Sequence, residues 1–354
     1  MVGLVDEFSF EETGGWPAVL GRVIAGGDLS GPESRAVMGQ ILAGDASAAQ
    51  IASLVTALRI KGETIDEMSG FVRAMLDHAE PLELSGDLVD TCGTGGDRSS
   101  SINVSTIAAF VVAGAGARVC KHGGRAATSV AGSADVLEAL GVVIDLGPAG
   151  VKRCVDEARM GFCFAPRFHP AMRFASPVRR ELGVPTVFNY LGPLANPARA
   201  PFQVVGVSDP AMAEKMLGVL AMNGSRRAMV VHGADNLDEL STTGPTTVLE
   251  WRDGRVQGST IDAADFGLSR ASLEDLRGSE PAANALVVGR VLGGEKGPHR
   301  DIVVLNAAAG LVVAGVAGDF GSGIEQAAAA IDDGRAAEVL QTLVRVSQEC
   351  AESA

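Results

Sequence analysis

Two short apolar runs in this chain each end in a glycine-rich loop, and a helix-forming segment follows each loop. Residues 88–92 lead into Gly93-Thr94-Gly95-Gly96-Asp97, and residues 117–120 lead into Lys121-His122-Gly123-Gly124-Arg125. Strands that pass through glycine turns into helices, again and again, build a mostly parallel sheet with helices packed on it. Further runs at 142–146, 161–165, 203–207 and 228–232 read as strands of the same sheet, with helices over 104–114 and 133–140. Ligands of such sheets collect at the carboxyl ends of the strands, where both glycine loops fall.

Before residue 85 the texture is different. Residues 26–84 read as three consecutive helices. Ser30-Gly-Pro-Glu33, Ser47-Ala-Ala-Gln50 and Thr64-Ile-Asp-Glu67 are capping boxes. Ile51, Leu54, Val55 and Leu58 then recur at helical spacing, as do Met68, Phe71, Val72 and Met75. The expected organisation is a helical unit over residues 1–84 and an α/β unit over 85–354. So small a helical unit has little core of its own. Its apolar stripes either pack within the chain or form an interface with a second copy, and the sequence leaves both readings open.

Composition narrows the function classes. The length of 354 residues suits two domains. With 47% hydrophobic and 20% charged residues, disorder as the overall state is excluded. The balance of 29 Lys and Arg against 43 Asp and Glu gives a net charge of −14 and a pI near 4.8. That argues against a broad surface for nucleic acid, which needs a basic face. It leaves room for a small anion held at a local positive site. The five cysteines contain no Cys-x-x-Cys pair, so neither a disulfide framework nor a zinc site is implied, and a reducing cytoplasm is the expected compartment. The acidic N-terminus has no signal-peptide character. The apolar stretch at 107–117 is too short to span a bilayer and that at 302–316 is interrupted by Asn306, so no membrane association is expected.

Four segments could carry chemistry. In the first, the closely spaced glycines of 93–96 let backbone N–H groups approach a ligand. Ser99, Ser100, Ser101, Asn103, Ser105 and Thr106 crowd the start of the next helix, an arrangement suited to an anion with several oxygens. No Gly-Lys-Ser/Thr follows, so this is not a P-loop. In the second, Lys121, His122 and Arg125 sit among the small residues Gly123, Gly124, Ala126, Ala127, Thr128 and Ser129, a concentrated cationic site in an acidic chain. Ser133 reads either as an extension of this site or as a simple helix N-cap. The third holds His169, Arg173, Arg179 and Arg180. One of the adjacent arginines can face a carboxylate; His169 reads first as structural. The rigid turn at 191–197 could wall a pocket. The fourth is Asp238-Glu239, which follows a strand end and can hold Mg²⁺ bridging to phosphates.

Taken in order, these segments resemble the anthranilate phosphoribosyltransferases. The resemblance runs through Ala57-Leu-Arg-Ile-Lys-Gly-Glu-Thr64, Asp90-Thr-Cys-Gly-Thr-Gly-Gly-Asp97, Asn103-Val-Ser-Thr106, Lys121-His-Gly-Gly-Arg125, Gly132-Ser-Ala-Asp135, Val178-Arg-Arg-Glu-Leu-Gly183, Leu191-Gly-Pro-Leu194 and Asp238-Glu239-Leu240. It implies a small all-helical N-terminal domain beside a larger α/β domain with a mostly parallel central sheet, of the kind shared by nucleoside phosphorylases and phosphoribosyltransferases. Part of 170–200 would pack back on the helical domain. The implied activity is Mg²⁺-dependent transfer of the phosphoribosyl group of phosphoribosyl pyrophosphate (PRPP) to the amino group of anthranilate, in tryptophan biosynthesis, by a cytoplasmic homodimer.

By the same resemblance, PRPP would be held by Gly93, Gly96, Asp97, Ser101, Asn103, Val104, Ser105, Thr106, Lys121, His122, Gly123, Gly124, Arg125, Ala126, Ala127, Thr128, Ser129 and Ser133. Two Mg²⁺ would sit on Ser105, Asp238 and Glu239. Anthranilate would meet Gly93, His122, Gly124, Arg179, Gly192 and Pro193, with Lys121 and Arg179 as catalytic candidates. One departure stands out: the family usually has Asn, which contacts anthranilate, where this chain has Gly124. Ser101 stands where Thr is common. Two other classes share the architecture. A pyrimidine nucleoside phosphorylase would lack the PRPP-type motif set, and a non-enzymatic nucleic-acid-binding relative would show a basic groove.

Overall fold

The computed structural model describes residues 8–97, 99–126 and 130–353. Four helices form the N-terminal bundle: α1 (Gly15–Ile24), α2 (Gly31–Ala43), α3 (Ala48–Lys61) and α4 (Ile65–Asp77). The capping boxes form at Ser30, Ser47 and Thr64. At Thr64 the backbone N–H donates to Glu67 Oε2 at 2.8 Å while the Glu67 N–H donates to Thr64 Oγ1 at 3.2 Å. Glu67 is fully buried, yet it also accepts from Leu29 N and pairs with Lys61 at 3.0 Å, so the charge is compensated. The first helix, α1, was absent from the sequence expectation. It begins behind Gly14 with no side-chain cap, so the signal that marks the other three is missing.

The sheet has seven strands in the order β3-β2-β1-β4-β5-β6-β7. The parallel part is β1 (Val89–Gly93), β2 (Val119–Gly123), β3 (Met160–Phe164), β4 (Phe202–Gly206) and β5 (Arg227–Gly233). β6 (Thr246–Arg252) and β7 (Arg255–Ile261) add an antiparallel hairpin at one edge. Its turn is Asp253-Gly254, with φ of 51° and 76°, the left-handed pair that a two-residue hairpin requires. The strand expected at 142–146 does not form. Val142, Ile144 and Leu146 are buried in the alternation that suggested one, but their segment packs against the C-terminal helix. The Val143 N–H donates to Ser347 Oγ at 3.0 Å and finds no strand partner.

The remaining helices are α5 (Val104–Gly114), α6 (Ser133–Ala139), α7 (Pro148–Ala158), α8 (Ala165–Phe168), α9 (Ser176–Leu182), α10 (Phe188–Leu191), α11 (Ala213–Met222), α12 (Pro281–Leu292), α13 (Pro298–Val313), α14 (Phe320–Asp332) and α15 (Arg335–Glu352). Among the described residues no helix is long and apolar enough to cross a membrane.

Two apolar clusters hold the molecule. One lies on the face of the sheet covered by α5 and α13, around Phe110, Val111, Leu305 and Leu311. The other starts inside the bundle, at Val37, Leu58 and Phe71. It runs through Val178, Phe188 and Leu191 to Met216 and Leu220 of α11, and reaches Val205 and Val230 on the opposite sheet face. The bundle therefore has no separate core: segment 175–195 and α11 join it to the sheet. Four of the five parallel strands, β1, β2, β4 and β5, finish on a glycine: Gly93, Gly123, Gly206 and Gly233. The carboxyl rim of the sheet is thus bare of side chains at those positions, and neighbouring loops come down onto it.

Candidate active site

A cavity of about 250 Å³ opens on that rim. It is walled by the loop after β1, the start of α5, the loop after β2, the start of α6, and Asp238 with Glu239. The first, second and fourth sequence segments therefore meet in one place. The convergence is topological: β1 and β2 are neighbours, and the loop beyond β5 reaches back across β4.

Lys121 is the buried cation of this site, 1% exposed. Its Nζ donates to Thr91 O and to Ser105 Oγ, the latter at 3.3 Å. It thereby ties the end of β1 to the first turn of α5. Glu239 reaches the same turn, accepting the Ser105 N–H at 3.1 Å. Asp238 accepts the Gly95 N–H at 2.6 Å, which fixes the glycine loop where its φ is 68°. Burial and the charge of Asp97 hold the Asp238 carboxyl above its ordinary value. Desolvation and the charge of Asp238 raise the Glu239 carboxyl in the same direction. These buried oxygens repel one another and gain from a cation. All the donors are hard oxygens, the set that suits Mg²⁺. No cluster of three His, Cys, Asp or Glu around one point exists among the described residues. A cation here would thus complete its shell with substrate phosphates and water, which is how Mg²⁺ is commonly held.

The floor is ordered by polar contacts. Thr106 Oγ1 donates to Ser133 Oγ at 2.9 Å, joining α5 to α6. Ser133 is the first residue of α6 and not its cap; Gly132 holds that position, and Asp135 Oδ2 accepts the Gly132 and Ala126 N–H groups. Asn103 donates to Ala131 O and accepts from Asn284 Nδ2 at 2.9 Å. Ser101, Val104, Gly96, Asp97 and Gly123 all line the cavity. Arg125 lines it too, but its guanidinium is engaged by Asp135 and Glu138, at 2.9 and 2.5 Å, and stacks over Phe164. Its charge is already answered within the chain. Ala127, Thr128 and Ser129 lie outside the described residues.

A second cavity, about 540 Å³, adjoins the first. His122, Gly124 and Arg125 line both. Its other walls come from Met75 of α4, Ala165 and Pro166 of α8, His169, α9 and Phe188 of α10, with Gly192 at its edge. It therefore lies between the bundle side and the sheet. Arg179 is half-buried against the Phe188 ring, 5.7 Å from its centroid, and pairs with no carboxylate among the described residues. Burial holds its basicity below the usual value. Arg180 is exposed. Of the residues expected around the second ligand, Gly93 lies in the first cavity only, and Pro193 turns its carbonyl to Cys92 Sγ at 3.7 Å instead of lining the pocket.

His122 Nδ1 lies 3.2 Å from Gly192 O, which makes Nδ1 the donor and leaves Nε2 a bare acceptor. Nε2 is buried and finds no partner among the described residues. Burial, the neighbouring His169 ring and Lys121 hold its basicity well below the ordinary value, so the ring is neutral. His169 is structural as read, its Nε2 2.8 Å from Ala195 O, but its ring also walls the second cavity.

Two supporting residues escaped the sequence reading. Asp90, fully buried, accepts Asn196 Nδ2 at 2.7 Å and the His122 N–H at 3.3 Å, and so holds β2 where Lys121 and His122 project. Asp90 stood in a quoted motif, yet a single acid inside an apolar strand gives no sign of its partner 106 residues away. Asn284, on α12, reaches Asn103 across 181 positions and carries no local signal at all.

Residues 17–79 match the helical bundle domain of a glycosyl transferase family, and residues 85–337 match its a/b domain. The anthranilate phosphoribosyltransferase of Chloroflexus aggregans is 51% identical, covering 93% of this chain and 97% of its own length. That of Salinispora arenicola is also 51% identical, over 94% of this chain and 96% of its own length. Among solved structures, the anthranilate phosphoribosyltransferase of Thermus thermophilus superposes with a TM-score of 0.89 at 42% identity, covering 93% of this chain and 99% of its own. The Saccharomyces cerevisiae enzyme, solved in complex with PRPP and Mg, gives a TM-score of 0.87 at 27% identity, covering 94% and 98%.

Proposed function

The chain belongs to the anthranilate phosphoribosyltransferase family, and on that premise we propose how its two joined cavities divide the reaction. The reaction is transfer of the phosphoribosyl group of PRPP to the amino group of anthranilate, with release of pyrophosphate, in tryptophan biosynthesis. The observation that carries the division is the junction at His122 and Gly124. On one side lies a cavity of backbone N–H groups, hydroxyls and carboxylates; on the other lies a larger one with Arg179, which pairs with no carboxylate among the described residues.

PRPP occupies the first cavity and Mg²⁺ binds with it. Two ions are expected, with Asp238, Glu239 and Ser105 as the protein donors. When bound, Mg²⁺ neutralises charge on the departing pyrophosphate. The chain's own part is to hold that leaving group. The N–H groups of 93–97 and the first turn of α5 supply fixed dipoles, and Lys121 supplies a buried positive charge beneath them. Glu239 and Asp238 keep those elements in register through Ser105 N and Gly95 N. Anthranilate enters the second cavity with its carboxylate on Arg179 and its amine toward the junction. An aromatic amine is neutral at pH 7, so attack on C1′ needs positioning more than a strong base. The neutral His122 ring, locked by Gly192 O, sits where the two ligands meet.

Residues 1–84 and 85–354 are proposed as the two domains, with 175–195 bridging them. The exposed Ile24 on α1 and Ile60 on α3, 69% and 82% accessible, support a homodimer through the bundle. The unpaired state of all five cysteines supports a cytoplasmic setting. The test of the division is a pair of variants. Arg179→Ala should raise the KM for anthranilate, and Glu239→Ala should abolish use of PRPP. A shared loss of affinity for both substrates in each variant would mean that the cavities are not divided this way.

A further inference from the structure

The acid pair does not reach the rim of the sheet by its own length. The loop after β5 must lie down across the ends of β4 and β1, and it does so over Gly206 and Gly93, which are registered partners on adjacent strands. A Cβ built on Gly206 would fall 1.6 Å from Asp238 O and 2.3 Å from its carbonyl carbon. A Cβ on Gly93 would fall 2.2 Å from Asp238 Oδ2. Neither glycine has a positive φ, so backbone freedom is not the reason for either residue. The reason is space. Two missing side chains cut a notch in the rim, and the Asp238 peptide lies in it. The notch is also where the PRPP loop is tied, because Gly206 O accepts the Thr94 N–H at 3.0 Å.

We propose that Gly206 is a positioning residue of the metal site: its bare backbone sets the depth at which Asp238 and Glu239 sit, and thereby their distance from Gly95 and Ser105. This rests on the reading that the pair holds Mg²⁺. Any side chain at 206 lifts the Asp238 peptide by roughly 2 Å to reach ordinary contact, and Mg²⁺ tolerates little departure from oxygen distances of about 2.0–2.1 Å. Asp238 and Glu239 are consecutive, so both carboxylates move with the peptide between them. Gly206 touches neither ligand and acts only through the loop above it.

The test reads metal binding directly, without turnover. Mn²⁺ is titrated by electron paramagnetic resonance into protein holding PRPP, with no acceptor present. Gly206→Ala should weaken Mn²⁺ at least tenfold. Gly114→Ala is the control for plain steric strain, since its Cβ would meet the Ala336 backbone at 2.7 Å at the opposite end of α5. It should lower the melting temperature and leave Mn²⁺ affinity alone. If Gly206→Ala does not fold, Gly93→Ala carries the test, because its Cβ displaces chiefly the Asp238 carboxylate and only grazes the Asp238 backbone oxygen at 3.0 Å; it too should weaken Mn²⁺ at least tenfold. Asp238→Asn and Glu239→Gln separate loss of the metal ligands from loss of their positioning. If they leave Mn²⁺ affinity intact, the metal reading fails. If they weaken it while folded Gly206→Ala or Gly93→Ala binds Mn²⁺ as the wild type does, the notch is not what positions the pair.

Discussion

Arg179 offers the cleanest single perturbation of the acceptor side. It stands in the larger cavity on the face of Phe188 and pairs with no carboxylate among the described residues, so its removal orphans no acid within the chain. What it loses inside the protein is a cation–π contact, worth about 0.5–1 kcal/mol. What it loses toward substrate is a charge-assisted, fork-shaped hydrogen bond to a carboxylate, worth about 1.5–3 kcal/mol. At about 1.4 kcal/mol per decade, that is a rise of roughly ten- to one-hundred-and-fifty-fold in the KM for anthranilate. Arg179→Lys keeps the charge and loses the fork, so it should fall at the lower end of that range. The assay is the loss of anthranilate fluorescence at saturating PRPP and Mg²⁺, with the KM for PRPP measured separately. The KM for PRPP should move less than twofold. An unchanged KM for anthranilate, or a shift confined to PRPP, would refute the placement of the carboxylate.

Three further expectations follow from the geometry. Glu239→Ala should abolish turnover, since it removes a half-buried carboxylate from the metal site and frees Ser105 N; unchanged activity in a Mg²⁺ titration would remove Glu239 from the metal site. A Cβ at Gly124 would meet only Ala165 Cβ, at 3.9 Å. Gly124→Asn should therefore fold normally and lower the KM for anthranilate severalfold by restoring a side-chain partner; a raised KM would show that the bare backbone is the better fit. Asp90 is pushed up to about 6 by burial, against an ordinary value of 3.8, although Lys121 and Asn196 pull the other way. The folded chain therefore keeps a proton that the unfolded chain releases, and stability from this residue is lost as pH rises from about 4 to 6. Asp90→Asn removes that dependence. Its unfolding free energy relative to wild type should rise by about 2–3 kcal/mol between pH 4 and pH 7 in urea titrations; a difference that stays flat with pH would contradict the burial argument.

The parallel strands and the capped helices were legible because their signals are local. A serine or threonine three residues before an acid or glutamine, and an apolar run ending in glycine, announce themselves within five positions. What escaped lacked such marks or had them overruled. α1 has no cap. The run at 142–146 alternates as a strand does, but its Val143 N–H goes to Ser347 Oγ on the C-terminal helix and it joins no sheet among the described residues. The hairpin β6–β7, which the sequence expectation did not include, turns on Asp253-Gly254, a dipeptide that marks a two-residue hairpin. In the site, the glycine loops, Lys121 and the acid pair were visible as chemistry. Arg125 was read as a phosphate ligand because Asp135 and Glu138, ten and thirteen residues on, gave no sign that they fold back on it. Gly206 looked like any strand-ending glycine. Its meaning depends on a loop 32 positions later, which only the topology brings overhead.

A single continuous site joining PRPP to anthranilate across the His122–Gly124 junction couples the two halves of the reaction. Its most direct measurement is a product balance with purified protein, Mg²⁺, PRPP and anthranilate. Anthranilate fluorescence should disappear in step with pyrophosphate release, one for one, and chelating Mg²⁺ should stop both. A folded protein that binds PRPP yet leaves anthranilate untouched, or releases pyrophosphate without consuming it, would contradict that claim.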